Sequence, residues 1–343
     1  MISKRIFALI ITFLTAGLVV VVLTYTSSIV ASASNHFIRM LPSHVVGGEY
    51  FIDLKESGYT FIGSNKYELF LGNRRRATDL LSLSFSEKET KSIFLKLSDH
   101  LQFYNDAYIT VDGNDIFLFD GMKSEVVHGS TDSFKLFKVM STLNFVKGLP
   151  LSSESFLFRC INKSNENEII KVNKNIVKTD NGLLKKQIDG LFCTDGQLIK
   201  VPNSNKIFYT YYYRNQFICA DTNLNLLYRG KTIDTNSIAK IKIAKIESKN
   251  QLTLASPPLY VNKHCSVNEK YLFIHSGLKA DNETADMHDQ GAAIDVYNVS
   301  DGKYKLSFYL PDFNGKKLTD FRVYGQSLYA LYDHYLYKYQ LNF

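Results

Sequence analysis

The chain has 343 residues, 45% apolar and 21% charged, with 22 Tyr, 24 Phe and no Trp, a globular composition whose aromatic weight favours strands. That length holds one large all-β domain or two ordinary ones. The formal net charge is +7, but the cations are scattered among acids and Arg74-Arg75-Arg76 is the one dense run, so no nucleic-acid partner is expected.

Residues 6–25 carry no charged side chain and are dominated by Ile, Leu, Val and Phe. As a helix they would span about 30 Å, the thickness of a hydrocarbon core. Lys4 and Arg5 precede the run and should stay in the cytoplasm, which sends the rest of the chain across the membrane. The predicted organisation is a cytoplasmic N-terminus at 1–5, a transmembrane anchor at 6–25, a spacer with a candidate ring-closing strand at 26–45, and a β domain at 46–343. The alternative is a cleaved signal peptide, since Ala31-Ser32-Ala33 fits the small-residue cleavage pattern. The apolar run is longer than the ~7–15 residues usual for such a peptide. Under either reading the body is single-pass or exported, with its C-terminal domain periplasmic.

The first group of predicted strands is Tyr50–Leu54, Tyr59–Ile62 and Tyr67–Leu71, punctuated by Gly58, Gly63 and Gly72. Then come Ala107–Val111 and Ile116–Phe119, where Asp112-Gly113 between apolar runs signals a hairpin. Ser155–Ile161 and Glu168–Val172 flank a polar loop, and Lys206–Tyr213 and Gln216–Asp221 flank Arg214-Asn215. Lys270–His275 is followed by a long polar loop and by Ala293–Asn298 and Lys303–Phe308. The last stretch, Asp320–Leu341, alternates apolar and polar residues and is broken at Gly325 and at Asp333-His334, as short antiparallel strands would be.

The hairpins begin near residues 57, 106, 154, 206, 270 and 327, a step of about 50 residues, in the range of propeller blades. The expected fold is all-β, a six-bladed antiparallel β-propeller preceded by one transmembrane helix. A strand from just before Glu49 is expected to close the last blade. The alternative is two β domains with a seam near residues 180–190.

From Asp189 onward, Gly190-Leu-Phe-Cys193, Tyr211–Leu226, Arg229–Thr235, Ile294-Asp-Val-Tyr297 and Ser307-Phe-Tyr-Leu-Pro311 resemble a family of membrane-anchored, six-bladed, propeller-like envelope proteins of Bacteroidetes. Arg39, Asp53-Leu54 and Leu71-Gly72-Asn73 are similar to it as well. The resemblance implies fold and location, and no catalytic residue.

Local motifs point to no enzyme class. Nucleophile elbow, zinc-protease, phosphate-loop and dinucleotide patterns are absent from the sequence. Cys160, Cys193, Cys219 and Cys265 contain no C-x-x-C pair, so a metal site is not expected, and buried free thiols or one disulfide are the two readings. The loop 278–291 gathers Asp286, His288 and Asp289 with Asp281 and Glu283, a candidate ligand-binding group lacking the spacing of a calcium loop. The other reading of that loop is a solvated hairpin. Arg214 and Asn215 form an aromatic hairpin tip, where a guanidinium fork can hold a carboxylate. Arg74-Arg75-Arg76 is a second candidate anion site.

No cofactor is expected. The function expected is non-enzymatic: a binding or scaffold module for an envelope protein partner or a small ligand. A metal-dependent propeller hydrolase or lyase with a central site is one alternative, and an accessory subunit of an envelope redox or maturation complex is the other.

Overall fold

The computed structural model describes residues 2–31, 34–86, 88–97, 102–104, 106–174, 176–179, 182–249 and 251–343. Helix α1 runs Ile2–Ala31. Its described apolar side chains, among them Phe13, Leu14, Leu18 and Val21, are exposed. Among the described residues no helix is long and apolar enough to cross a membrane.

The body is made of antiparallel meanders. Strand β1 is Val46–Asp53. Strands β2 (Tyr59–Ser64), β3 (Glu68–Asn73), β4 (Asp79–Ser84) and β5 (Thr90–Phe94) form one meander. A second follows in β6 (Tyr108–Asp112), β7 (Asp115–Asp120), β8 (Glu125–Ser130) and β9 (Lys135–Ser141). A short parallel pairing of β2 with β6, Gly63 opposite Val111, joins the two into one eight-stranded sheet. Only glycine fits there, because a Cβ at Gly63 would meet the Val111 carbonyl at 1.8 Å.

Separate four-stranded sheets follow. One contains β10 (Lys147–Ser152), β11 (Ser155–Ile161), β12 (Asn167–Asn173) and β13 (Ile176–Thr179). The next contains β14 (Gly196–Lys200), β15 (Lys206–Tyr211), β16 (Gln216–Asp221) and β17 (Leu226–Lys231). After a small hairpin of β18 (Ile243–Ile246) and β19 (Gln251–Leu254) come β20 (Asn262–Val267), β21 (Tyr271–Ser276), β22 (Gly291–Asn298) and β23 (Tyr304–Pro311). The last sheet is β24 (Asp320–Tyr324), β25 (Ser327–Tyr332) and β26 (Tyr335–Leu341), and β1 completes it.

Each sheet buries both faces. Phe70 and Leu80 of the first meander pack with Ile109, Ile116 and Leu118 of the second. Phe117 and Phe119, on the other face of β7, pack with Phe156 and Phe158 of β11. Leu157 then meets Tyr209, Tyr211 and Ile218. Phe208 and Phe217 meet Leu272 and Ile274, and Phe273 and Ile294 meet Phe321 and Leu328. Tyr329 and Leu331 of the last sheet return to Leu69, Leu71 and Leu83 of the first. Neighbouring residues on a strand therefore serve different interfaces, which is why strands such as Ile116–Phe119 are apolar without alternation.

Polar groups tie the first strands of successive sheets together. The Tyr108 hydroxyl donates to the Gly148 carbonyl at 3.2 Å. The Gln197 amide donates to the Cys265 carbonyl at 3.1 Å and accepts from its N–H at 2.9 Å. The Val323 N–H donates to Ser266 Oγ at 2.9 Å, and the Phe61 N–H to Asp320 Oδ2 at 3.2 Å, which links the last sheet back to the first.

Several expectations change. Tyr50–Leu54, expected in the first strand group, lies largely in the closing strand: β1 pairs with β26 from Val46 opposite Leu341 to Asp53 opposite Tyr335. Closure thus extends beyond the segment before Glu49, because the apolar residues of 50–53 find an open edge on β26. The two-domain alternative fails, since Leu183 sits inside the core that joins β11 to β15 and β16. Strands β4, β5, β8, β9, β13 and β17–β19 lie outside the predicted set, as do β10, β14 and β20, which mix Lys, Gln, Asn and His with their apolar residues. All four cysteines are buried free thiols rather than a disulfide, and burial pushes the Cys160 and Cys265 thiols up to about 12.

Removing residues through Asp53 uncovers the edge of β26, an invitation to edge-to-edge association. A chain beginning at residue 54 is expected to elute as aggregate in size-exclusion chromatography, while one beginning at residue 34 elutes as a single species.

Candidate functional site

Within each antiparallel meander, the loop between the second and third strands lies at the end where the first strand begins. The sequence candidates Arg74–Arg76, Arg214-Asn215 and the loop 278–291 all occupy such loops, so the fold brings them to one face. What they do there differs.

The loop after β21 does not form a solvated hairpin. Ser34 Oγ donates to Asp281 at 2.6 Å, and the N–H groups of Asn35 and His36 donate to the same carboxylate at 2.8 and 3.0 Å. Arg39, 3% exposed, donates to Glu283 at 2.6 Å, to Asp295 at 2.8 Å and to the Leu278 carbonyl at 3.1 Å. Asn282 accepts from the Arg39 N–H and donates to its carbonyl, both at 2.9 Å. Burial lowers the affinity of the Arg39 guanidinium for its proton, but Asp295 and Glu283 more than offset this and hold it charged. The loop is consumed in clasping the segment that follows α1. Within it, Asp286, His288 and Asp289 belong to the short helix α2 (Ala285–Asp289), capped by Thr284. Asp286 and Asp289 are exposed and His288 is half-buried.

Arg214 and Asn215 are buried, at 1% and 5% exposure. The Arg214 guanidinium lies 3.7 Å over the Tyr211 ring and donates to the Lys185 carbonyl at 2.7 Å. Asn215 donates to the Asp234 carbonyl at 2.5 Å. The connections on either side of the β14–β17 sheet cover this tip, so it props neighbouring loops where the sequence suggested an open turn.

Charged and aromatic groups cluster around the starts of the first strands, Lys147 and Tyr260 exposed, Arg159, Tyr213 and Asp320 buried. Arg159 bridges to Asp195, which precedes β14. Arg322 donates to Asp320 at 3.1 Å. Lys147 lies 4.1 Å over the Tyr108 ring. Tyr212, Tyr213 and Tyr260 pack together, with centroids 5.1 to 6.2 Å apart, and Tyr260 is exposed. These groups sense one another across sheets. Burial lowers the Lys147 ammonium, and Arg159 and Arg74 lower it further. Burial also lowers His264, with Asp320 opposing and Arg322, Arg74 and Lys263 assisting. The result is a mouth formed by residues from sheets far apart in sequence, more cationic than anionic and walled on one side by tyrosines. Of its members, only Arg74 stands out in the sequence. Lys147, Arg159, Asp195, His264, Asp320 and Arg322 share no local pattern. Among the described residues no group of three or more His, Cys, Asp and Glu is placed to hold a metal ion.

A succession of four-stranded meanders whose last sheet is completed by the chain's own early strand defines a β-propeller. The chain is similar to a candidate exported protein from Bacteroides fragilis NCTC 9343, with a TM-score of 0.54 at 12% identity over 90% of this chain and 98% of that one. It is likewise similar to a member of the DUF4221 family from Bacteroides vulgatus ATCC 8482, with a TM-score of 0.52 at 11% identity over 87% and 97% of the two chains. At these identities the likeness concerns the fold. No family model and no curated protein matches the chain.

Replacing Arg39 with Met leaves Glu283 and Asp295 buried without a counter-charge and is expected to cost about 3–5 kcal/mol, read from urea denaturation.

A pH dependence follows from His275, whose ring is buried with Nδ1 unpartnered. Burial, with Lys263, His264, His288 and Arg39 nearby, pushes it down to about 3. Between that value and about 6.5 the unfolded chain binds more protons than the folded one. The stability tied to neutral His275 is therefore complete above about pH 6.5 and lost as pH falls, by at most about 1.4 kcal/mol per pH unit. His275→Phe is expected to flatten this slope in part, since His264 and His288 are lowered too. Urea midpoints measured at about pH 7.5 and about pH 5 check it.

Proposed function

We propose that this protein is a non-enzymatic binding module: a six-bladed propeller tethered by α1 outside a bacterial inner membrane, which takes a ligand at the mouth of its ring. The observation that carries the reading is the convergence of Lys147, Arg159, Asp195, Tyr212, His264 and Arg322, drawn from separate sheets, at the starts of the first strands. Rigid scaffolds present function at such loop clusters. Six blades follow from counting the eight-stranded sheet as two meanders, supported by cores that lead from each sheet to the next and back. The tether is supported by the uncharged apolar sequence of residues 6–25 and by the continuity of α1. An extracytoplasmic address agrees with the likeness to the candidate exported protein.

The site is tested by a ligand-observed magnetic resonance screen of small metabolites against the full chain. Compounds that bind are expected to lose at least about tenfold in affinity to Tyr212→Ala, within the ~1–3 kcal/mol of stacking contacts. Unchanged affinity for every binder would remove the mouth as the site. The tether is tested by membrane fractionation, in which the full chain should sediment with membranes and residues 34–343 should not.

A further inference from the structure

We propose that the mouth binds a small soluble oxyanion, a phosphate or dicarboxylate, between Lys147, Arg74 and the unpaired edge of Arg159; this deepens the binding reading above and rests on it.

Lys147 and Arg159 stand directly opposite each other on the antiparallel strands β10 and β11. Directly opposed side chains have Cβ atoms about 4.5–5.5 Å apart on one face, and like charges in that arrangement destabilise a sheet. A protein retains such a pair where something anionic lies between them. The acids nearby, Asp106 and Asp195, fill that role only in part, since Arg159 and Arg74 act on Lys147 more strongly. Asp195 is taken by Arg159 and also accepts the Gly196 N–H at 2.9 Å. Asp320 is taken by Arg322 and by the N–H groups of Phe61 and Phe321. Arg159 is only 8% exposed, with Asp195 and the Tyr209 hydroxyl beside its guanidinium, yet its Nε has no hydrogen-bond partner among the described residues. A buried guanidinium N–H left open beside an ammonium matches a ligand oxygen in charge and geometry.

Lys147 keeps access to solvent while its ammonium packs 4.1 Å over the face of Tyr108, which shields it in part. Arg74, at the end of β3, is exposed as well and lies close enough for its charge to act on Lys147 and His264. Ammonium and guanidinium groups thus come together from β10, β11 and the end of β3, and Arg159 and Arg74 act on Lys147 more strongly than the carboxylates of Asp106 and Asp195 do. A neutral ligand would leave that repulsion in place, and an oxyanion would relieve it. The site lies at the ends of short strands, and the ligand proposed is a small molecule.

The test is calorimetric titration of the full chain with inorganic phosphate, with succinate, and with succinamide as the uncharged analogue. At least one of the two anions should bind, with affinity falling as salt rises, and succinamide should not. Lys147→Gln and Arg74→Gln should each weaken binding at least about tenfold, the scale of a lost charge-assisted hydrogen bond. Lys270→Gln, at the β20–β21 turn on the opposite face, should leave it unchanged. Tighter binding of phosphate than succinate assigns a phosphate group, and the reverse a dicarboxylate.

A second readout needs no ligand: the thermal midpoint of Lys147→Gln should exceed that of the unaltered chain, because one of two opposed charges is gone. A lower midpoint would mean that Lys147 is held by Tyr108 alone and would overturn the proposal. So would equal binding of succinamide, absence of binding by both anions, or affinities indifferent to Lys147 and Arg74. If anions fail while other compounds still depend on Tyr212, the anionic class falls and the mouth stands; if Tyr212→Ala also changes nothing, both fall.

Discussion

The structure depends on sheets that are apolar on both faces. A meander such as β6–β9 presents Ile116 and Leu118 to one neighbour and Phe117 and Phe119 to the other. No such sheet can sit at the end of a stack without exposing a face to water, at roughly 25 cal/mol per Å² of apolar surface. Stacking must therefore continue until it returns on itself, and the packing of Tyr329 and Leu331 against Leu69 and Leu71 is that return. The same need explains β1: a strand from the beginning of the body completes the sheet at its end, so the seam is held by backbone hydrogen bonds as well as by packing.

Crowding the first strands together creates a second problem, because their edges meet where water is scarce. Tyr108, Gln197, Ser266 and Asp320 solve it with side chains that reach the backbone of the adjacent sheet. Hydrogen bonds of this kind contribute about 1 kcal/mol each, while their loss would strand buried partners at greater cost. They set the rotation of one sheet against the next more tightly than apolar contact does. Asp320 does this while also orienting Arg322, so the tie that joins last sheet to first also places a charge at the mouth.

The segment between α1 and the body is held by a buried charge cluster rather than by a strand. An ion pair in a dry site gains little net stability over an apolar replacement, but it admits one arrangement. Arg39 with Glu283 and Asp295 thereby fixes where the chain arriving from α1 meets the body, against the β20–β23 sheet. Asp281 and Glu283 of the acidic loop that reads as a ligand site are spent on holding this segment, while Asp286 and Asp289 stay exposed. By contrast, Lys147 and Arg159 oppose each other at the mouth, where Arg159 is paired with Asp195 and Lys147 has no ion-pair partner among the described residues.

The strands of highest apolar content were legible in the sequence: Ser155–Ile161, Gln216–Asp221 and the final hairpin lie where alternation and turn residues put them, and Gly113 adopts the positive φ of 62° that its Asp-Gly turn implies. Their spacing carried the repeating architecture as well, since turn chemistry and side-chain period are local properties. The strands β10, β14 and β20 were not legible, because their residues are chosen for contact with neighbouring sheets and not for a period of their own. Nor was the fate of Arg39, whose partners lie more than 240 positions away, or the burial of Arg214 beneath adjoining connections. The mouth belongs wholly to the tertiary structure. Its groups are single residues at the starts of strands, and only closure of the ring, which brings those starts together, decides that they face one another.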